Sequence, residues 1–328
     1  MPALTYAEAI NLALHEEMER DEKVFLLGED VALSYVYGVT KGLADRFGED
    51  RVRDTPISEL GFTGAAVGAA MAGYRPVVDM RFMDFMTLAM DPIVNQAAKL
   101  RYMLGGQICV PLVVRAPSGA GLQYGSTHGQ SLEAWFMQVP GLKVAAPSGP
   151  ADAKALLKTS IRDDNPVVFV EHKMLYRDKT KEEVPAGDDL LPFGRAAVKR
   201  AGEDVTLIGV SYQVNVCLRA ADALAEEGIR AEVVDPRTLA PLDTAGMAES
   251  VRKTGRCVIV EEGHLRSGVG AEIAAALHEE AFDHLDAPIG RVAARQAPIP
   301  VQTRLERHIL PSVERVVAAA KKALGIAA

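Results

Sequence analysis

The chain holds 328 residues, 48% of them apolar, 24% charged and 5% aromatic, with a formal charge of −8. That length exceeds what one hydrophobic core usually organises, so two domains are expected. The acidic balance argues against a nucleic-acid face, and no apolar run reaches the ~18 residues of a membrane helix, so neither partner is expected.

In chain order, residues 5–20 predict an amphipathic helix, with Ala7, Ile10, Leu14 and Met18 at helical spacing. VFLLGED (24–30) predicts a short buried strand that ends in a turn with two acids. RDTPISE then leads into a run of Gly, Ala and Val, to residue 73, that has helical length. Strands are expected at 76–82 and 110–117, with a helix at 90–103 between them and a Gly/Ser/Thr-rich loop at 118–131. A strand at 142–148, a helix at 151–162 and a strand at 166–173 continue the alternation. Apolar strands separated by helices predict a mostly parallel sheet covered on both faces.

YRDKTKEEVPAGDDLLPFG (176–194) is charged, lacks a period and carries Pro and Gly, as a surface linker does. Beyond it the alternation restarts. Strands are expected at 204–211, 229–235, 256–262 and 288–294, with helices at 214–228, 243–255, 268–281 and 311–325. Gly228 and Gly255 fall where left-handed helix termini belong. The fold class is α/β in two domains, each a mostly parallel sheet flanked by helices. Cys109, Cys217 and Cys257 sit beside apolar residues without C-x-x-C spacing and read as buried free thiols. With no secretory pattern at the start, a cytoplasmic location is expected.

Several familiar chemistries lack their motifs: no G-x-G-x-x-G follows the first strand, and G-x-x-x-x-G-K-[ST], H-E-x-x-H and G-x-S-x-G are absent. His128 and His172 have no companions at zinc-ligand spacing. Such an enzyme either recognises a cofactor by position or shares its active site with another chain. Read locally, Glu59 is a first-turn acid with Ser58 as its N-cap. Glu29 closes a strand, and Asp30 reads as a helix or turn cap. RFMDF (81–85) offers two aromatics, Phe82, which reads as core, and Phe85. His128 lies in a flexible-looking loop, His264 reads as a loop or interface residue, and IRDDNP (161–166) reads as a helix-ending turn.

Taken together, VFLLGEDV, DTPISELGFTGAAVGAAMAG, NQAAKLRYMLGG, STHGQS, IRDDNPVVFVEHK and VVDPRTLAPLD resemble the β subunit of the thiamine-diphosphate-dependent E1 component of 2-oxo acid dehydrogenase complexes. The resemblance runs over the whole chain. It implies a transketolase-like pyrimidine-binding domain at 1–185 and a transketolase C-terminal domain at 195–328, with the 176–194 linker overlapping their boundary. It implies that Glu59 is the catalytic carboxylate hydrogen-bonded to the cofactor's pyrimidine N1′, promoting the imino tautomer. Glu29 would lie near the pyrimidine in a proton relay, with Phe85 and Ile57 as its apolar contacts. His128 would assist reductive acyl transfer to the lipoyl group, although STHGQ departs from the family's usual A-Q-H-S-Q.

A potassium ion is implied on the carbonyls of Leu112, Ser160 and Asp163, with Asn165 coordinating or supporting. The Gly-Asp-Gly…Asn signature that holds Mg²⁺ and diphosphate is absent from the chain. A separate α subunit is therefore expected to supply that clamp in an α₂β₂ heterotetramer, with a second β subunit and the E2 acyltransferase, through its lipoyl and peripheral-subunit-binding regions, as further partners. The substrate order is pyruvate first, acetoin second and branched-chain 2-oxo acids third. A split transketolase-like subunit and a non-catalytic scaffold are the remaining alternatives.

Overall fold

A computed structural model of the protein describes residues 1–33 and 37–326. The chain forms two compact units, one of residues 1–118 and 135–193, the other of 119–134 and 194–328. Both are α/β with mostly parallel sheets flanked by helices, as the strand–helix alternation predicts.

In chain order the first unit holds β1 (Ala3–Leu4), α1 (Tyr6–Arg20), β2 (Val24–Gly28), α2 (Leu43–Phe47), β3 (Val52–Asp54), α3 (Glu59–Met71) and β4 (Arg75–Asp79). A tight 3₁₀ segment (Met83–Ala89) and a wide π-type segment (Asp91–Ala97) then lead into α4 (Ala98–Met103) and β5 (Val113–Ser118). The helix expected at 90–103 is therefore regular only in its last turns. After the short α5 (Glu133–Met137) come β6 (Lys143–Ala145), α6 (Pro150–Arg162), β7 (Val167–His172), α7 (Lys173–Arg177) and β8 (Glu182–Glu183).

Six strands of this unit run parallel in the order β6-β7-β5-β4-β2-β3. Their Val- and Leu-rich runs are buried because helices cover both faces. Helix α1 starts with a capping box, in which Glu8 N donates to Thr5 Oγ1 while Thr5 N donates to the Glu8 carboxylate. It buries Ala9, Ile10, Ala13 and Leu14 and packs against α6.

The segment expected to be a surface linker is mostly exposed, and it is also held onto this unit. Its start is helical in α7, β8 pairs antiparallel with β1, and Val184 is buried. Lys154 Nζ and Lys158 Nζ donate to the carbonyls of Pro185 and Gly187 at 2.9 and 2.8 Å. The lysine stems are buried in α6, so their ammonium groups take the nearest backbone acceptors.

The second unit holds β9 (Ala197–Arg200), β10 (Val205–Gly209), α8 (Gln213–Glu226), β11 (Ala231–Asp235), β12 (Thr238–Ala240), α9 (Thr244–Thr254) and β13 (Cys257–His264). It closes with α10 (Val269–Ala281), β14 (Gly290–Ala294), α11 (Thr303–Ile309) and α12 (Val313–Ala323). Its sheet runs β14-β13-β10-β11-β9, parallel except for the edge strand β9. Helices α8 and α12 bury Val214, Cys217, Leu224, Val316 and Ala320 against it. Gly228 and Gly255 adopt the expected left-handed conformation at φ +79° and +67°. Cys217 and Cys257 are buried free thiols, whereas Cys109 is only half-buried. No helix among the described residues is long and apolar enough to cross a membrane.

Candidate active site

In the first unit the chain leaves β2 for β3 on one side, then returns past it to β4 on the other. The strand order therefore reverses beside β2, and in such sheets the crevice beyond the strands' C-terminal ends is where ligands bind. Glu29 follows the last residue of β2, Asp79 ends β4, and α3 begins with Glu59 just after β3. Gly28 allows the two central strand ends to close up: a Cβ there would lie 2.5 Å from the Asp79 carbonyl oxygen.

Glu59 is the first residue of α3 and only 6% exposed. The Ser58 hydroxyl makes no capping hydrogen bond, so the N-cap expected there is filled by geometry but not by its side chain. Glu29 is half-buried, and its Oε1 is a buried oxygen with no hydrogen-bond partner. Burial pushes the Glu29 carboxyl above its ordinary range, the neighbouring Glu59 charge adds to the rise, and Arg81 opposes it.

Asp30 adopts a left-handed conformation (φ +52°), and its carboxylate pairs with the Arg81 guanidinium rather than capping the turn. That capping falls to Asp54, whose Oδ1 accepts from Ala32 N at 2.9 Å. Arg81 is itself left-handed (φ +58°), with its N–H on Asp79 Oδ1 at 3.0 Å. Asp79 Oδ2 accepts from Arg115 Nη1 at 2.7 Å, while Arg115 Nε and Nη2 form a fork on Glu171 at 2.7 and 2.8 Å. Arg115 and Glu171 are fully buried, and Tyr176 Oη also donates to Glu171.

Asp79, Arg81 and Arg115 are not among the sequence candidates. A signal for Arg115 does exist, because an arginine inside the apolar run VPLVVRAP can be buried only if paired.

Phe85 is half-buried, with its ring 5.7 Å from that of Phe82. Phe82 is also half-buried, not core, and Lys173 Nζ lies 4.7 Å over its ring, so a cation covers the face a core phenylalanine would pack. Ile57 is 82% exposed, open to contact from outside the chain. An acid pair with an open oxygen, with an exposed Ile57 and a half-buried Phe85 on adjoining segments, fits a flat heteroaromatic base that needs a partner for its ring nitrogen.

His128 lies with the second unit. It is half-buried in a turn, its N–H on the Gly125 carbonyl and its Nδ1 3.0 Å from Thr127 Oγ1. The loop that carries it is tied down over a long sequence distance. Glu262 Oε1 accepts from Ala120 N at 2.6 Å, and Glu306 Oε1 accepts from Gly121 N and Gln123 N at 2.9 and 3.1 Å. A cavity of about 270 Å³ lies beside this loop, lined by Ser126, Gln130, Ser131, Glu262, His264 and Ile299 among others. His264 ends β13 rather than lying in a loop.

The oxygens expected to hold a cation already take hydrogen bonds. Leu112 O accepts from Val167 N, Ser160 O from Asp163 N and Asp163 O from Arg75 Nη1, while Asn165 Oδ1 accepts from Arg101 Nη1 at 2.7 Å. Each carbonyl retains a second lone pair. Burial raises the Asp163 carboxyl, but hydrogen bonds from Lys143 and Asn165 outweigh it and hold the group below its ordinary range.

The chain matches the transketolase pyrimidine-binding domain over residues 2–179 and the transketolase C-terminal domain over residues 194–316. It is 47% identical over 322 residues to the mitochondrial pyruvate dehydrogenase E1 component subunit beta of Dictyostelium discoideum, covering 97% of this chain and 90% of that protein. The pyruvate dehydrogenase E1 component subunit beta of Rickettsia felis is 48% identical over 320 residues, covering 97% and 98%. A solved structure described as a split gene transketolase, inactive beta4 tetramer, aligns with a TM-score of 0.79 at 27% identity over 100% of both chains.

Proposed function

The chain belongs to the family of pyruvate dehydrogenase E1 β subunits built from the two transketolase domains, and from that membership we propose that it serves as such a subunit. The reaction is thiamine-diphosphate-dependent oxidative decarboxylation of a 2-oxo acid, pyruvate first, with transfer of the acyl group to the lipoyl-protein acceptor of E2. The observation that carries this reading is the buried Glu59 at the start of α3, beside the open oxygen of Glu29 at the switch point.

Thiamine diphosphate, when bound, supplies the carbon nucleophile and the electron sink. The chain's own residues then have separate roles. Glu59 holds the proton at the pyrimidine ring nitrogen, its place fixed by the helix that starts with it. Glu29 exchanges charge with Glu59, and Phe85 and Ile57 supply apolar contact to the ring. His128 offers a proton to the acyl-transfer step. Diphosphate and Mg²⁺ are assigned to an α subunit in an α₂β₂ heterotetramer that includes a second β copy and docks on E2. A structural potassium ion is assigned to the second lone pairs of Leu112, Ser160 and Asp163, with Asn165. The location proposed is the cytoplasm.

The test is co-purification with the α subunit, followed by thiamine-diphosphate-dependent reduction of an artificial electron acceptor. Pyruvate, acetoin and branched-chain 2-oxo acids are compared side by side. Activity is expected with pyruvate, and only when both subunits are present. Activity of the isolated chain would overturn the shared site, and a preference for acetoin or a branched-chain acid would overturn the substrate.

A further inference from the structure

We propose that Arg81 is a positioning residue of the acid pair: its guanidinium, paired with Asp30 and carried by a turn whose backbone is tied to Asp79, Arg115 and Glu171, is the cation that sets how Glu29 carries its charge beside Glu59. The inference rests on the reading of Glu59 as the pyrimidine-facing acid.

Acids crowd the strand ends of the first unit. Glu29 and Asp30 follow β2, Asp54 ends β3, Glu59 opens α3 and Asp79 ends β4. Asp84 is buried in the 3₁₀ segment that packs against α3. Of these, Glu59, Asp30 and Asp79 all act on Glu29 in the same direction, and Arg81 is the opposing cation. An acid with an open oxygen, half-buried beside another carboxylate, takes up a proton unless a positive charge is held nearby. A protonated Glu29 would weaken its exchange with Glu59, so the placement of Arg81 matters for the pair.

The backbone that carries it is tied down. Arg81 occupies a left-handed backbone conformation, unusual for a long side chain, and its N–H is held by Asp79 Oδ1. Asp79 cannot swing away, because its other oxygen is held by the fully buried Arg115, itself forked onto Glu171. The Arg81 side chain is only 16% exposed, whereas its partner Asp30 is 50% exposed. The guanidinium is thus kept against the site while its counter-ion faces out. A buried ion cluster with no direct contact to a cofactor thereby gains a role, since it orients the turn that carries the tuning charge.

The test titrates the glutamate carboxyl carbons by NMR in the full-length, cofactor-free chain, with the Glu29 and Glu59 signals assigned through E29Q and E59Q. Arg81→Gln and Arg81→Met are the neutral replacements, and whichever retains the parent's circular dichroism is used. Arg81→Lys is the charge-keeping control. The neutral variant is expected to raise the midpoint of Glu29 proton uptake by about one pH unit or more, and Arg81→Lys to restore most of it. An unmoved midpoint in a folded neutral variant, or an equal shift in Arg81→Lys, overturns the proposal. Thiamine-diphosphate affinity of the α-containing assembly is measured over the same pH range. Absence of cofactor binding would sink the proposed function and leave the carboxyl titration standing, whereas binding without a shifted titration would sink this inference alone.

Discussion

At the C-terminal edge of the first sheet, Glu29 keeps a buried oxygen without a donor, while at the same edge of the second, Glu262 is fully engaged. Glu262 accepts from Ala120 N, Ser131 Oγ and Gln213 Nε2, so neutral donors from two points of one loop and from α8 meet one carboxylate. Glu29 instead faces other acids and one arginine. Both lie near a reversal of strand order: Glu29 follows β2, where the first sheet reverses, and Glu262 is near the end of β13, beside the strand β10 where the second reverses. Topology therefore places an acid but does not decide its use. A carboxylate satisfied by amides and hydroxyls stabilises a loop, and one left partly unsatisfied among like charges is ready to exchange a proton.

The contrast between the two edges is most vulnerable at Glu59. Glu59→Gln is expected to lower turnover of the reconstituted assembly by roughly 10²-fold or more, with the thermal midpoint of the chain barely moved. A large fall in midpoint with modest loss of turnover would make Glu59 a structural acid like Glu262. Arg115→Met should do the reverse to the framework. It leaves Glu171 and Asp79 without their buried counter-ion, and denaturant unfolding should show a loss of about 3–5 kcal/mol.

Glu262→Ala, on the other edge, strands the Ala120 N–H and the Gln213 amide. About 1–3 kcal/mol of stability should go, and amide exchange should accelerate across 119–131. The slightest change belongs to Glu29→Gln. Because the folded Glu29 carboxyl is raised, the stability it contributes is present below the ordinary carboxylate range and lost as pH rises through the raised value. The Gln variant should therefore match the parent in acid and exceed it slightly at neutral pH, as thermal midpoints across pH would reveal.

Much of this architecture is legible in the sequence. The strand–helix alternation, the two-domain division and the left-handed Gly228 and Gly255 follow from local pattern alone. So does Glu59 at a helix start, because the acid stands at the head of a Gly- and Ala-rich segment of helical length. The fate of loop 119–134 is not legible, since its partners Glu262 and Glu306 are 142 and 185 residues downstream and the loop has no period to announce them. Arg81 is hidden for a related reason. Its role depends on Asp30, 51 residues upstream, which becomes its neighbour only when β2 and β4 pair. The 176–194 segment lies mostly at the surface, as its charge and Pro suggest, but its own residues do not announce that the buried lysines of α6 recruit its carbonyls.

If this chain supplies the acid acting on the pyrimidine of a cofactor whose diphosphate another subunit holds, the acid must govern the cofactor's first proton loss. Hydrogen–deuterium exchange of the thiazolium C2 proton of bound thiamine diphosphate reads that step in the assembled complex, for the parent and Glu59→Gln. Exchange is expected to slow by roughly 10²-fold or more in the variant while the cofactor stays bound. Exchange at the parent's rate with cofactor bound would contradict it.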